Sequence, residues 1–345
     1  MMKERQINVA TVGFVYAAMP IIFQLGRMLF ATFSDFWGRK VFFLSSGLLA
    51  VASGLIYYVA YTPLEYLSGK VVEGTKDGTL WAVNRAFLLE QDTGQLKTLI
   101  RLRTIVYIAY AVGSFAAGYL VAWILFEGTM LLCAVFGAVA VLVALTLKRE
   151  KKEEFEFSKA LRFLDFRKKE KLFRKFLILF CMMGVSLGLV GGFVLTWYLD
   201  ANGFSLEAIG LIIGMQILLA GIFSHLFSKT TRTKQSILLS GIMFALTFVI
   251  LGFTAPILAA ALIVFYGATQ GIASIGQEAI ASRISDKRSY GTDIGLLWTG
   301  FHMTESLSLA LTGIMISLWG FTVPFILSAL TYLIFAVGSY FALKE

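Results

Sequence analysis

The sequence predicts an all-α, polytopic membrane protein, and three observations carry that expectation. Eleven apolar segments are long enough to cross a bilayer, at about 7–33, 41–60, 64–83, 104–125, 128–147, 173–199, 205–227, 235–253, 255–281, 290–317 and 321–343. A helix spans the hydrocarbon core with roughly 17–25 such residues, and without water only a helix satisfies its own backbone. The composition, 58% hydrophobic and 15% charged, is not that of a soluble domain of 345 residues. Finally, 25 of the 30 Lys and Arg residues fall in alternate connections, at 39–40, 85–103, 148–175, 229–234, 283–288 and 344. The connections near 61–63, 126–127, 200–204, 254 and 318–320 hold none. That asymmetry puts the basic connections and the C-terminus in the cytoplasm and the chain in the cytoplasmic (inner) membrane. The net charge of +9 then reflects topology and anionic lipid, and no nucleic acid is expected as a partner.

The first run closes on Gly26–Lys40, GRMLFATFSDFWGRK. A polar turn with Asp35, Gly38, Arg39 and Lys40 leads directly into the second run at Val41, so these two helices form an antiparallel hairpin. Gly38 suits the turn because it accepts backbone angles that other residues resist. Asp35 is placed to receive a helix end or an Arg from another connection, and so to act as a latch. Arg27, nearer the membrane, either snorkels or pairs with a carboxylate.

The third run carries Lys70, Glu73, Lys76 and Asp77 near its middle. At about 100° per residue these four share one third of the helix circumference, and their charges sum to zero. Charges facing lipid are costly, so this stripe faces a central cavity or another helix. Two readings stand: a coupling or substrate-binding group, and a self-neutralising structural network.

The long polar segment from Lys148 to Lys171 interleaves charges with Phe155, Phe157, Leu161, Phe163, Leu164 and Phe166, and Ser158 could cap a short helix. It is either an interfacial helix or a solvated linker. The expected division is a helix bundle at 1–147, a cytoplasmic linker at 148–172 and a second bundle at 173–345.

In the second half, Gln270, Ser274 and Gln277 share a helical face, suited to hydrogen-bonding substrate or to joining helices. His302 and Glu305 lie three apart on another run and therefore on one face. Glu305 sits about 22 Å from Tyr290 along a helix, deep enough for a carboxyl group that exchanges protons, with His302 as relay. The alternative is a protonated Glu305 bonded to a neighbouring helix. His225, the other histidine, lies at a helix end, so no metal is expected. Cys133 and Cys181 both lie inside apolar runs, which argues against a disulfide framework. No phosphate-binding loop, HExxH or GxSxG pattern occurs, so neither an enzyme nor a resident cofactor is expected.

The halves echo one another. Ser228 and Arg232 stand 193 residues after Asp35 and Arg39, Gln270-Gly271 stand 197 after Glu73-Gly74, and Gly313 stands 195 after Gly118.

The set Ala31, Asp35, Gly38, Arg39, Lys40 resembles the loop between helices 2 and 3 of the major facilitator superfamily of secondary transporters. The resemblance implies a two-bundle, twelve-helix fold built of parallel repeats. It makes the first run the family's helix 2, so the eleven runs are expected to be helices 2–12, with helix 1 missing. The family's outer helices 3, 6, 9 and 12 then carry no charged residue or histidine, as lipid-facing helices should. It also implies a role for Lys70 in proton coupling or substrate binding, and for Glu90, Arg101 and Arg103 in closing an inner gate. Arg39 and Arg101 become candidates to pair with Asp35 or Glu90. Gly113, Ser114 and Gly118 resemble the family's antiporter signature, with Ser114 where that signature has Pro.

The expected function is alternating-access transport of a small, amphipathic molecule, coupled to protons, by a monomer. A membrane receptor or scaffold of the same fold, or an incomplete inactive transporter, is the alternative.

Overall fold

The computed structural model describes residues 1–91, 95–147, 170–228, 232–285 and 290–343, apart from the side chains of 31, 32, 35, 36, 85, 86, 88–91, 95–101 and 290–292. No strand occurs among the described residues. The helices are α1 (Val9–Trp37), α2 (Arg39–Val59), α3 (Pro63–Gln91), α4 (Gln95–Leu145), α5 (Lys171–Val190) and α6 (Val194–Ala201). They continue with α7 (Leu206–Phe227), α8 (Thr233–Leu251), α9 (Pro256–Ile284), α10 (Tyr290–Trp319) and α11 (Thr322–Ala342).

Each of the eleven apolar runs falls on these helices to within two residues at its ends, but three of the runs do not form one helix each. α4 contains two runs and breaks between them at Ile124 and Leu125, where Leu125 has φ 62° and ψ 176°. The break expected near 126–127 thus falls one or two residues earlier, on a non-glycine residue with the positive φ that such residues rarely take. Conversely, the run 173–199 is divided between α5 and α6 by Gly191 and Gly192, the latter at φ 57°. An apolar pattern reads straight through two glycines, although they are where a helix most readily breaks.

Nine helical stretches among the described residues are long and apolar enough to cross a membrane. One of them, Leu102–Leu145, has 44 residues and amounts to two crossings folded back at Leu125. α3 falls outside the nine because of the charges at its centre.

Chain ends and turns follow local chemistry. The Asn8 side chain accepts the Thr11 N–H at 2.8 Å and starts α1; the Ser205 hydroxyl accepts the Ala208 N–H at 3.3 Å and starts α7. Both are ordinary N-caps, 197 residues apart. Gly38 makes the α1–α2 turn at φ 80° and donates its N–H to Ser34 at 3.1 Å. The ends of the helices near Gly38, where the described Lys and Arg residues gather, are called the basic end; the opposite ends, near Glu127 and Asp200, are the far end.

α1 packs on α3, and α2 packs on α3 and α4; α5 packs on α10 and α11, α7 on α9, and α8 on α9 and α11. These two sets meet along α1·α10 and α4·α7. Each meeting is a glycine contact that brings backbones together. A Cβ on Gly13 would stand 2.9 Å from the Leu309 carbonyl oxygen and 3.1 Å from the Gly313 Cα. A Cβ on Gly210 would stand 2.7 Å from the Ser114 carbonyl oxygen and 2.8 Å from the Gly118 Cα. The two contacts correspond across the repeat, since Gly13 and Gly210 are 197 residues apart and Gly118 and Gly313 are 195 apart. Tyr66 packs with Val15 and Ala60 in a small buried cluster of the first half, whereas the second half has a large core of aromatic rings.

Candidate functional site

A cavity of about 590 Å³ opens among α1, α2, α3, α4, α6 and α7. α3 supplies three of its charged residues, from one face of a helix that packs on α1 and α2, and Lys3 and Asp200 add two more. Lys70, Glu73 and Lys76 line the cavity, together with Tyr16 of α1, Tyr57 of α2 and Trp197 of α6.

Glu73 is the hub. Its Oε2 accepts Lys70 Nζ at 2.7 Å and the Tyr57 hydroxyl at 2.7 Å. Lys70 Nζ also lies 4.2 Å from the centre of the Tyr16 ring and 5.6 Å from that of Tyr57, a cation over aromatic faces. Lys76 pairs with the adjacent Asp77 at 2.9 Å. The predicted stripe is therefore two neutral ion pairs, with Lys70 and Glu73 locked between tyrosines. Charge-assisted bonds in surroundings of low polarity are stronger than in water. Tyr16 and Tyr57 were not legible as site residues, because an aromatic in an apolar run looks like ordinary packing.

His302 and Glu305 do meet: His302 Nδ1 and Glu305 Oε2 are 2.7 Å apart. The His302 ring lies edge-on to Phe23 of α1, with centroids 5.1 Å apart. This dyad sits at the α1·α10 meeting and does not line the cavity of Lys70 and Glu73. Gln270 accepts a hydrogen bond from Gln216 Nε2 at 2.6 Å, joining α7 to α9. Gln277 Nε2 donates to the Tyr332 hydroxyl at 3.3 Å, and Ser274 faces Ser224 at 3.5 Å. All three polar residues of that face contact neighbouring helices.

At the basic end, buried Arg39 donates to the Ser34 hydroxyl. Lys40 Nζ donates to the carbonyl oxygens of Leu145 at 2.6 Å and Leu147 at 2.7 Å. A cation satisfying the final carbonyls of a helix is a favourable cap, so the hairpin turn is tied to the end of α4. The side chains of Asp35, Glu90 and Arg101 lie outside the described residues. Arg103 reaches Glu278 of α9 at 3.7 Å, between the two sets of helices.

The far end has its own ion pairs. Lys3 pairs with Asp200, again between the two sets, and Arg5 pairs with Glu127 at 2.6 Å while stacking 3.9 Å above the Tyr61 ring. Sequence reasoning missed these. The signal was there, in that Glu127 and Asp200 are acids in connections free of Lys and Arg, but nothing local says which cation each one meets.

Among the described residues no group of three or more His, Cys, Asp or Glu side chains is arranged to hold a metal ion.

The family model described as Major Facilitator Superfamily matches residues 1–296 and again 192–345. Among solved structures, a mutant of the nucleoside transporter NupG superposes with a TM-score of 0.83 at 15% identity, covering 100% of this chain and 93% of that one. A POT family transporter in complex with 5-aminolevulinic acid gives 0.77 at 13% identity, covering 96% and 87%. The human organic anion transporter MFSD10 (TETRAN) gives 0.66 at 16% identity, covering 94% and 83%. At such identities the likeness is one of fold. No curated protein matches the chain in sequence.

Proposed function

This chain belongs to the Major Facilitator Superfamily of secondary transporters, and on that premise we propose that it moves a small organic molecule by alternating access, coupled to protons. The observation that carries the proposal is Glu73, held by Lys70 and Tyr57 inside a membrane-embedded cavity. A carboxylate and an ammonium kept within a bilayer are expensive unless function retains them.

Lys70 and Glu73 neutralise one another at rest. A proton delivered to Glu73 removes the carboxylate that Lys70 pairs with and leaves the ammonium free for an anionic or strongly polar substrate group. Loss of that proton restores the pair and displaces the group. Tyr16, Tyr57 and Trp197 offer flat apolar faces to the rest of the molecule. A compact solute with one polar end and one aromatic or apolar body fits this lining better than a sugar, which needs many amide and hydroxyl partners. The named solutes of the similar structures, a nucleoside, an organic anion and 5-aminolevulinic acid, are small organic molecules, in keeping with this class.

His302 and Glu305 form a second proton-exchanging pair beside the α1·α10 contact, where a charge change would bear on how the halves meet. Asp35–Lys40 serves as the latch of the basic end. Arg103–Glu278 and Lys3–Asp200 are cross-half pairs that would part in turn as each end opens.

The test is uptake by proteoliposomes of a panel of amphipathic anions and zwitterions, with and without an imposed pH gradient. Gradient-driven uptake is expected to fall at least tenfold in Glu73→Gln while counterflow exchange without a gradient persists. Unchanged gradient-driven uptake in both Glu73→Gln and Glu305→Gln would show that protons are not the coupling ion.

A further inference from the structure

The two hydrogen bonds that Glu73 receives fall on one atom. Lys70 Nζ and the Tyr57 hydroxyl both donate to Oε2, and no described residue donates to Oε1. A carboxylate can accept about four hydrogen bonds, two on each oxygen, so half of the group is open. Glu73 lines the cavity and keeps 25% of its side chain accessible, against 11% for Lys70. A proton arriving from the cavity therefore bonds to Oε1 and leaves Oε2 as the acceptor of Lys70 and Tyr57.

Where the proton goes decides what the site can hold. On Oε1 it turns an acceptor into an O–H donor. That donor stands beside the Lys70 ammonium, because Oε1 and Oε2 belong to one carboxyl group. Two adjacent donors, one of them cationic, complement a carboxylate, whose oxygens each take one strong bond. An amine would meet a cation and a second donor, and so no attraction.

Charge narrows the ligand further. The other charges that line the cavity are matched, Lys76 by Asp77 and Lys3 by Asp200. The groups facing the Lys70–Glu73 pair are Lys76 and Asp77 on α3, Tyr16 of α1, Tyr57 of α2, and Tyr110 and Cys133 of α4. Tyrosines and thiols stay neutral where carboxyl groups exchange protons, so the change of charge belongs to Glu73. One proton and one monoanion together leave the site neutral. With the proton bound, a neutral solute leaves one positive charge unbalanced and a dianion leaves one negative, and either is costly inside a bilayer.

We propose that the solute of this cavity is an organic monocarboxylate, bound across Lys70 Nζ and a protonated Glu73 Oε1, with one proton crossing alongside each molecule. Its apolar body lies against Tyr16, Tyr57 and Trp197, and the cargo as a whole carries no net charge. On release the proton leaves Oε1 with the anion, and Lys70 regains its carboxylate. The inference rests on the transport reading of this cavity and gives it a substrate class.

Calorimetry tests it without flux, on the full chain in nanodiscs titrated with phenylacetate, indole-3-acetate and 4-phenylbutyrate. Titration in buffers of different ionisation enthalpy counts the protons bound, and close to one taken up per carboxylate is expected. Affinity should fall about tenfold for each pH unit once Glu73 is ionised. Phenylacetamide, phenethylamine and the dianion phenylsuccinate should each bind at least tenfold more weakly than phenylacetate. In Glu73→Gln the amide N–H stands in for the carboxylic O–H, so phenylacetate should bind without proton uptake and independently of pH. Adding Lys70→Met to that variant should abolish binding.

Three results on the native chain overturn the proposal, whether or not a variant folds: no binding of any of the carboxylates, proton uptake near zero, or equal affinity for the amide or amine. Proton-linked binding without gradient-driven uptake supports the inference and removes the transport reading. Gradient-driven uptake of amines alone removes the inference and leaves transport standing.

Discussion

The two halves share one plan and use their interiors differently. The second half is filled with rings: Phe180, Phe244, Phe248, Phe325, Phe335 and Tyr332 are all buried, and Phe244 stacks on Tyr332 with centroids 4.1 Å apart. The first half buries far fewer apolar side chains and instead carries two ion pairs at the middle of α3. Helices in lipid gain little from hiding apolar surface, since the solvent is itself apolar, so cohesion comes from close packing and polar contacts. The second half supplies the ring packing, and the first holds the ion pairs.

The strongest way to break this contrast is to open a hole in the aromatic core. Phe244→Ala should lower stability by about 3–5 kcal/mol, read as a large drop in the unfolding temperature in detergent. Phe14→Ala, on an exposed ring of α1, should change it by less than about 0.5 kcal/mol. A comparable loss from both would mean that the rings of the second half are not a specific core.

Lys70→Met tests the first half. It strands Glu73 without its cation and should cost about 3 kcal/mol, while Lys70→Met with Glu73→Gln should recover most of that stability but no gradient-driven transport. Thermal unfolding and uptake measured on the same preparations separate the two effects. Full recovery of transport in the double variant would reduce the pair to a structural role.

The smallest effect belongs to the far end. Lys3 and Asp200 are partly exposed, so Lys3→Ala should cost at most about 1 kcal/mol of stability, with the difference shrinking as salt is raised. A salt-independent loss would place this pair among the buried interactions.

Much of the fold could be read from the chain because membrane helices announce themselves locally. Run length located the helices, Gly38 located the first turn, and the spacing of Lys70, Glu73, Lys76 and Asp77 located the polar face of α3. The 193- to 197-residue echoes proved physical at Gly13–Gly313 and Gly118–Gly210, where the backbones touch. What stayed hidden was either conformational or distant. The reversal expected near 126–127 turns on Leu125, whose side chain does not advertise that backbone shape, and Gly191 and Gly192 sit in a run apolar enough to mask them. The partners of Glu127, Asp200 and Glu278 come from 1–8 and from α4, far along the chain, and no periodicity connects residues that only tertiary packing brings together. Tyr16 and Tyr57 matter for their position over one ammonium, which composition does not convey.

The paired glycine contacts have a mechanical consequence. Both lie near the far end, one on each flank of the molecule, and both are main chain resting on main chain. At these four glycines no side chain stands between the backbones, so if the bundles rock as proposed, the line joining Gly13–Gly313 with Gly118–Gly210 offers them an axle. In that motion Arg103–Glu278, at the basic end and far from the line, would part widely, whereas a small turn suffices to part Lys3–Asp200 beside it, and a single methyl group added at any of the four glycines would act as grit in that bearing.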